Sequence, residues 1–319
     1  MEYVNCNLCG SDNYQSALKV PDQLSKGINS FILVKCTNCG LVFVNPRPKK
    51  SEMTKYYTQD YYEPMHDSIK KEKNFIIKLY DNFKDKVGRK KLYEKVQRVE
   101  KNTESPGMIV DVGCGNGDFL GKMKTRGWKC LGIEISNVMS EYATQKYGID
   151  VFNGEFEEAR LSEDSVDALT FWHSLEHLHD PMRVLKESYR VLKNDGLIII
   201  KVPNIESYEF MLLKEKWPPL DVPRHLYQWS ARTLTQALKK TNFRKIRLFH
   251  FTNLSMSHLK LLVWSEHLDK VRLGKEIKNK MYVLFTKIMF ELLHYLFLPL
   301  SLVASLLKRG HSLIVAARK

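Results

Sequence analysis

Long uncharged apolar stretches are nearly missing from this chain. The run from Met281 to Leu307 carries Lys287 and Glu291, and its uncharged remainder, Leu292 to Leu307, is broken by Pro299. A single membrane-spanning helix needs about 20 apolar residues. No basic-then-apolar leader follows Met1, where Glu2 and polar residues stand instead, so a cytoplasmic location is expected. Cysteine is scarce, with 6 among 319 residues, and in that compartment disulfides are not expected.

What is present fits a folded chain long enough for one large domain and a small one, or for two ordinary ones. Apolar residues make up 44% and charged residues 27%, which is ordinary for a globular protein. The excess of 50 Lys and Arg over 36 Asp and Glu leaves a formal charge of +14. Anionic partners follow from that: nucleic acid, a nucleotide-sugar, or an acidic membrane face. Charge does not choose among them.

Four of the cysteines form two knuckles, Cys6-Asn7-Leu8-Cys9-Gly10 and Cys36-Thr37-Asn38-Cys39-Gly40. This spacing predicts a tetrahedral thiolate site for zinc, with Cys6, Cys9, Cys36 and Cys39 as ligands. Glycine after each second cysteine suits a sharp turn that aims backbone N–H groups at sulfur. Residues 1–50 therefore read as a zinc ribbon, with Phe31 to Val34 and Leu41 to Val44 as strands. Four thiolates leave no open coordination position, so the metal is expected to be structural. Cys114 and Cys130 look like small core fillers. Residues 51–105 read as a helical linker: an aromatic stretch from Tyr56 to Tyr62, then lysine-rich helical spacing with a break near Gly88.

The central stretch is Ile109-Val110-Asp111-Val112-Gly113-Cys114-Gly115-Asn116-Gly117-Asp118-Phe119-Leu120, which reads as strand, tight turn and helix. Glycine permits positive φ and a close ligand, and the helix start offers unpaired N–H groups. In the dinucleotide fingerprint the last glycine comes three positions after the second. Asp118 occupies that place here, which disfavours a nicotinamide dehydrogenase. A second strand from Lys129 ends in Glu134, placed to accept ribose hydroxyls. The spacing Asp-x-Gly-x-Gly-x-Gly resembles motif I of the class I S-adenosylmethionine-dependent methyltransferases, and residues 109–202 follow that family's order. The resemblance implies that Asp111, Gly113, Cys114, Gly115, Gly117, Glu134 and Ile135 hold S-adenosylmethionine. It places adenine at Glu155 and Phe156, and motif IV at Trp172, His173, Glu176 and His177. The expected fold is an α/β, doubly wound, Rossmann-like seven-stranded sheet over residues 106–319. Its last two strands, Lys245 to Phe251 and His311 to Ala317, form an antiparallel pair, with an apolar helical insertion at about 253–310 before the final strand.

His173-x-x-Glu176-His177 also matches the inverted zinc-protease pattern, but that pattern needs both histidines on one helix, and His173 ends a strand. Glu176 and His177 either shape the pocket through hydrogen bonds or bind a divalent cation that orients a diol. The loop from Trp217 to Ser230, with two tryptophans, Arg224, His225 and Tyr227, reads as the acceptor site. Pro-Arg-His-Leu-Tyr at 223–227 resembles the acceptor loop of zinc-ribbon methyltransferases from surface-polysaccharide pathways, including sugar C-methyltransferases. That comparison puts His225 at a catalytic base, with His173 or His177 as second candidates and Tyr227 as a positioning donor. A small acceptor is implied, a sugar nucleotide or lipid-linked glycan precursor, methylated at carbon or oxygen. An RNA methyltransferase and a non-catalytic membrane adaptor are the rival readings. For residues 281–307, with basic residues on both flanks, docking on anionic membrane stands beside a homodimer interface or a lid.

Overall fold

The computed structural model describes residues 1–22, 29–57, 75–251 and 306–319, with the backbone alone for 75–87. At the N-terminus, β1 (Tyr14–Pro21), β2 (Ser30–Cys36) and β3 (Val42–Val44) form an antiparallel meander. The knuckle glycines Gly10 and Gly40 sit at φ 79° and 83°, a conformation a Cβ would oppose. A 3-10 stretch, Lys50–Tyr56, leads away from the ribbon.

Helix α1 (Phe75–Glu100) passes through Gly88 unbroken, contrary to the expected break. Nothing lies within 4 Å of the place a Gly88 side chain would take. An exposed glycine costs a helix only about 1 kcal/mol. Val96 and Val99, both at 0% exposure, tie the last turns to Phe119, Leu120 and Met123.

The main sheet follows in the order expected. Its strands and helices are β4 (Met108–Val112), α2 (Asp118–Lys124), β5 (Lys129–Glu134), α3 (Asn137–Tyr147), β6 (Asp150–Asn153), β7 (Val166–Trp172), α4 (Pro181–Val191), β8 (Leu192–Pro203), α5 (Tyr208–Leu213), β9 (Tyr227–Gln228), α6 (Ala231–Lys240), β10 (Arg244–Phe251) and β11 (Ser312–Arg318). Seven strands pair as β10-β11-β8-β7-β4-β5-β6, parallel from β8 through β6, with β11 antiparallel to both its neighbours. Apolar residues alternate between faces. Val110, Leu169 and Ile198 enter one core, while Ile109, Ala168 and Ile199 enter the other, as a sheet covered on both sides requires. Ser136, Asp180 and Ser230 cap α3, α4 and α6 with their side-chain oxygens, and Pro181 starts α4, as its position after Asp180 predicts.

The ribbon does not stand apart at residue 50. Strand β9, from the acceptor loop, pairs with β3 and completes a four-stranded sheet, with Phe43 opposite Tyr227. Cys6, Leu8, Leu41 and Phe43 share one core with Leu169, Phe171 and Leu234. Trp217 and Trp229, which the sequence suggests as acceptor-site walls, are fully buried instead, Trp217 edge-on to Phe210 and His311. Arg224 is buried as well. It joins Asp22 at 2.8 Å and Asp221 at 2.7 Å and donates to the Tyr56 carbonyl.

Among the described residues no helix is long and apolar enough to cross a membrane. Nearly all of the 253–310 insertion, with the 281–307 membrane reading, lies outside the described residues, as do 58–62 of the aromatic stretch.

Breaking a buried ion pair by removing one partner costs about 3–5 kcal/mol, and Arg224→Met is expected to lower unfolding stability by that amount in urea titrations. A second test concerns Asp111, which is 2% exposed and accepts from the Thr170 hydroxyl at 2.6 Å. Burial pushes its carboxyl up to about 7, with nearby Lys95 and the Thr170 bond opposing. Between about pH 4 and pH 7 the folded chain therefore holds a proton that the unfolded chain has released, so this residue's contribution to stability falls as pH rises. Relative to Asp111→Asn, the wild type should lose on the order of 2–4 kcal/mol over that window, read from denaturant midpoints.

Candidate active site

The turn between β4 and α2 needs its glycines. Gly113, Gly115 and Gly117 sit at φ 75°, 55° and 75°. A Cβ on Gly113 would lie 2.7 Å from the Ser174 Cβ, and one on Gly117 would lie 2.7 Å from the Ala143 Cβ. The Gly113 and Cys114 N–H groups both bond the Ile133 carbonyl, at 2.8 and 3.1 Å, which locks the turn onto β5.

Glu134, at the end of β5, has its carboxylate fixed by two backbone donors, Gly115 N–H and Ser136 N–H, each at 2.9 Å. Burial raises its carboxyl, and these N–H groups oppose that. Ile135 beside it is 70% exposed, an apolar surface at the mouth of the turn. Cys114 contributes backbone only: its side chain is buried in the space that Gly132 leaves by having no Cβ. The ring of Phe156 likewise turns inward, edge-on to Phe171, which leaves its main chain for a ligand. Glu155 is paired with Lys50 from the ribbon side.

At the end of β7, Trp172 is buried and edge-on to Phe119, and its Nε1 has no hydrogen-bond partner. His173 adopts φ 63°, a left-handed conformation that non-glycine residues seldom take outside constrained sites. It shares a 3.2 Å hydrogen bond through Nδ1 with Glu176. Glu176 is at 0% exposure, and its Oε2 has no hydrogen-bond partner. Burial opposes its ionisation, but the His173 bond and the surrounding imidazoles outweigh that and hold its carboxyl low. Burial pushes His173 and His177 down to about 4, against the opposing pull of the Glu176 carboxylate.

His225 meets this group from the acceptor loop. Its ring lies 4.5 Å from that of His177, nearly perpendicular, and its Nδ1 donates to the Pro219 carbonyl at 2.7 Å. The nearest Asp221 oxygen is 4.0 Å from Nε2. Glu176, His177 and His225 each bring one ligand atom within 4.8 Å of the others. Tyr227 does not join them. Its phenol is bonded to Arg47 at 2.9 Å and to the His179 carbonyl at 3.0 Å, so it secures the ribbon contact and is not a donor at the histidine cluster.

Sequence reasoning missed three neighbours. Tyr57 bonds His177 Nδ1 at 3.0 Å. The ammonium of Lys95 lies 5.1 Å over the Trp172 ring. Lys201, opposite Trp172 in the β7–β8 register, is pushed down to about 8 by burial and by the cations of Lys95 and Lys91. Lys95 comes from a lysine-rich helix with no local mark, whereas Tyr57 stood in the aromatic stretch already noted.

The four knuckle sulfurs also cluster within 4.8 Å, with Cys6 and Cys39 at 3.4 Å and Cys9 and Cys36 at 3.5 Å. Zinc–sulfur bonds of about 2.3 Å put tetrahedral edges near 3.8 Å, so the four fit one zinc ion. Burial disfavours the Cys36 thiolate, yet the N–H groups of Cys39 and Asn38 outweigh it and bring that thiol down to about 7.

A family model described as a methyltransferase domain matches residues 85–248. Over 151 residues the chain is 24% identical to a probable S-adenosylmethionine-dependent methyltransferase of Mycolicibacterium smegmatis, covering 46% of this chain and 57% of that protein. It is 28% identical over 135 residues to the demethylmenaquinone methyltransferase of Oceanobacillus iheyensis, covering 39% and 57%. A SAM dependent methyltransferase from Archaeoglobus fulgidus, solved as a crystal structure, is similar with a TM-score of 0.49 at 20% identity, over 75% of this chain and 99% of that one. The chain spans less than two thirds of the length of the curated relatives it matches first. Because the family model covers half of its residues, and the positive-φ glycines and Glu134 lie inside that half, the chain belongs to the methyltransferase domain family.

Proposed function

We propose that this protein binds S-adenosylmethionine in the Gly113–Gly117 turn and transfers its methyl group to a small acceptor. The acceptor is a sugar nucleotide or lipid-linked glycan precursor, methylated at carbon or oxygen. One observation carries the reading: the Glu134 carboxylate is oriented by the Gly115 and Ser136 N–H groups. Bound there, the cofactor supplies an electrophilic methyl group on a sulfonium, so the acceptor must arrive as a nucleophile, aligned and shielded from water. His225 is the residue of the cluster on which acceptor activation depends. Its Nδ1–H donates to the Pro219 carbonyl, so Nε2 is the ring nitrogen that faces the cluster as acceptor.

We also propose that Cys6, Cys9, Cys36 and Cys39 hold a structural zinc ion. The ribbon packs its apolar side into the main core, which favours a small acceptor over the RNA rival, since the ribbon does not project as a separate reading head.

Isothermal calorimetry with S-adenosylmethionine and its demethylated product should give one site, weakened at least tenfold in Glu134→Ala. Methyl incorporation from labelled donor should fall at least a hundredfold in His225→Ala while donor binding persists. No donor binding in the wild type would overturn the cofactor assignment, and full activity in His225→Ala would remove that residue's role. Metal analysis of the purified protein should find one zinc. Stripping it with a chelator should abolish turnover through loss of β9 support, yet leave donor binding within a few-fold.

A further inference from the structure

We infer that Glu176, His177 and His225 form a second metal site, one that binds a divalent transition cation and presents it to an acceptor bearing two adjacent oxygens. The acceptor half of this inference rests on the methyl-transfer reading; the cation half does not.

The three side chains come from two elements, the turn after β7 and the loop before β9. The Leu226 N–H bonds the Glu176 carbonyl at 2.9 Å and holds those elements together. Glu176 Oε1 is taken by His173, and Oε2 is buried with no hydrogen-bond partner. A buried acceptor left unpaired is unfavourable, the more so when charged. A cation at this point removes that cost. Both imidazoles are held through Nδ1, His225 by the Pro219 carbonyl at 2.7 Å and His177 by the Tyr57 hydroxyl at 3.0 Å. Such outer bonds fix ring orientation and leave Nε2 as the ligand atom.

Bonds of about 2.0–2.2 Å to nitrogen and oxygen put ligand pairs roughly 3–4.3 Å apart, and a set within 4.8 Å lies close to that spacing. Two imidazoles and one carboxylate match the donor sets of zinc and iron sites that keep open positions, unlike the sulfur-only ribbon. One carboxylate against a divalent ion leaves a net positive charge. That charge favours a chelating pair of oxygens, as in a vicinal diol or a hydroxy-carbonyl, and eases ionisation of the bound hydroxyl.

Cobalt(II) alone, titrated into the zinc-loaded full chain, should add one equivalent of visible d–d absorption without sulfur-to-cobalt charge-transfer bands. Glu176→Gln and His225→Gln should each weaken that binding at least tenfold. Calorimetric binding of S-adenosylhomocysteine should stay unchanged in both. Tyr57→Phe, which removes only a hydroxyl, should weaken cobalt binding by a smaller factor. Adding catechol as a probe should shift the d–d bands. Absence of the bands, charge-transfer bands alone, or spectra unaffected by both Glu176→Gln and His225→Gln would overturn the cation site. Bands that ignore catechol would overturn the chelated acceptor. Loss of S-adenosylhomocysteine binding in the wild type would instead strike the methyl-transfer reading and leave the cation site standing.

Discussion

Leu226 ties the ribbon sheet to the turn that follows β7. Its carbonyl accepts the Val44 N–H from the ribbon at 2.9 Å, and its own N–H donates to Glu176 at 2.9 Å. One residue thereby sets the distance between the thiol cluster and the carboxylate end of the main sheet. Arg224, two residues earlier, fixes the same loop from inside through Asp22 and Asp221. His225 lies between these anchors, so its place opposite His177 is determined by backbone pairing and not by its own side chain.

The histidine group is arranged to supply lone pairs rather than charge. Burial disfavours charge on His177, and the Pro219 carbonyl accepts from Nδ1 of His225. On the far side, Lys95 and Lys201 bring positive charge to the rim beside Trp172. The glycine turn packs closely on the histidine turn, its first glycine leaving no room for a Cβ beside Ser174.

Much of the main domain was legible because its signals are local. The continuous apolar runs of β7 and β8, the Asp180–Pro181 helix start and the Ser230 cap each occupy a few adjacent residues, and each appears where the residues place it. The glycine spacing marked the turn for the same reason. What was not legible depends on distant parts of the chain. Strand β9 is two residues long and pairs across the whole intervening domain, so nothing near Tyr227 announces it. Trp217 and Trp229 look like ligand-facing aromatics in a loop, but the apolar space they fill is made by β1, β2 and α6. The Tyr227 hydroxyl is claimed by Arg47 for the same reason.

The shared core has a consequence for inheritance. Cys6 and Leu8 pack with residues from β7 and α6, and the ribbon takes its fourth strand from beyond β8. No cut near residue 50 divides this chain into two pieces that each keep a closed interior. The ribbon and the Rossmann-like half form one structural unit, and moving either onto a foreign partner would require the recipient to bring its own version of the strand at 227–228.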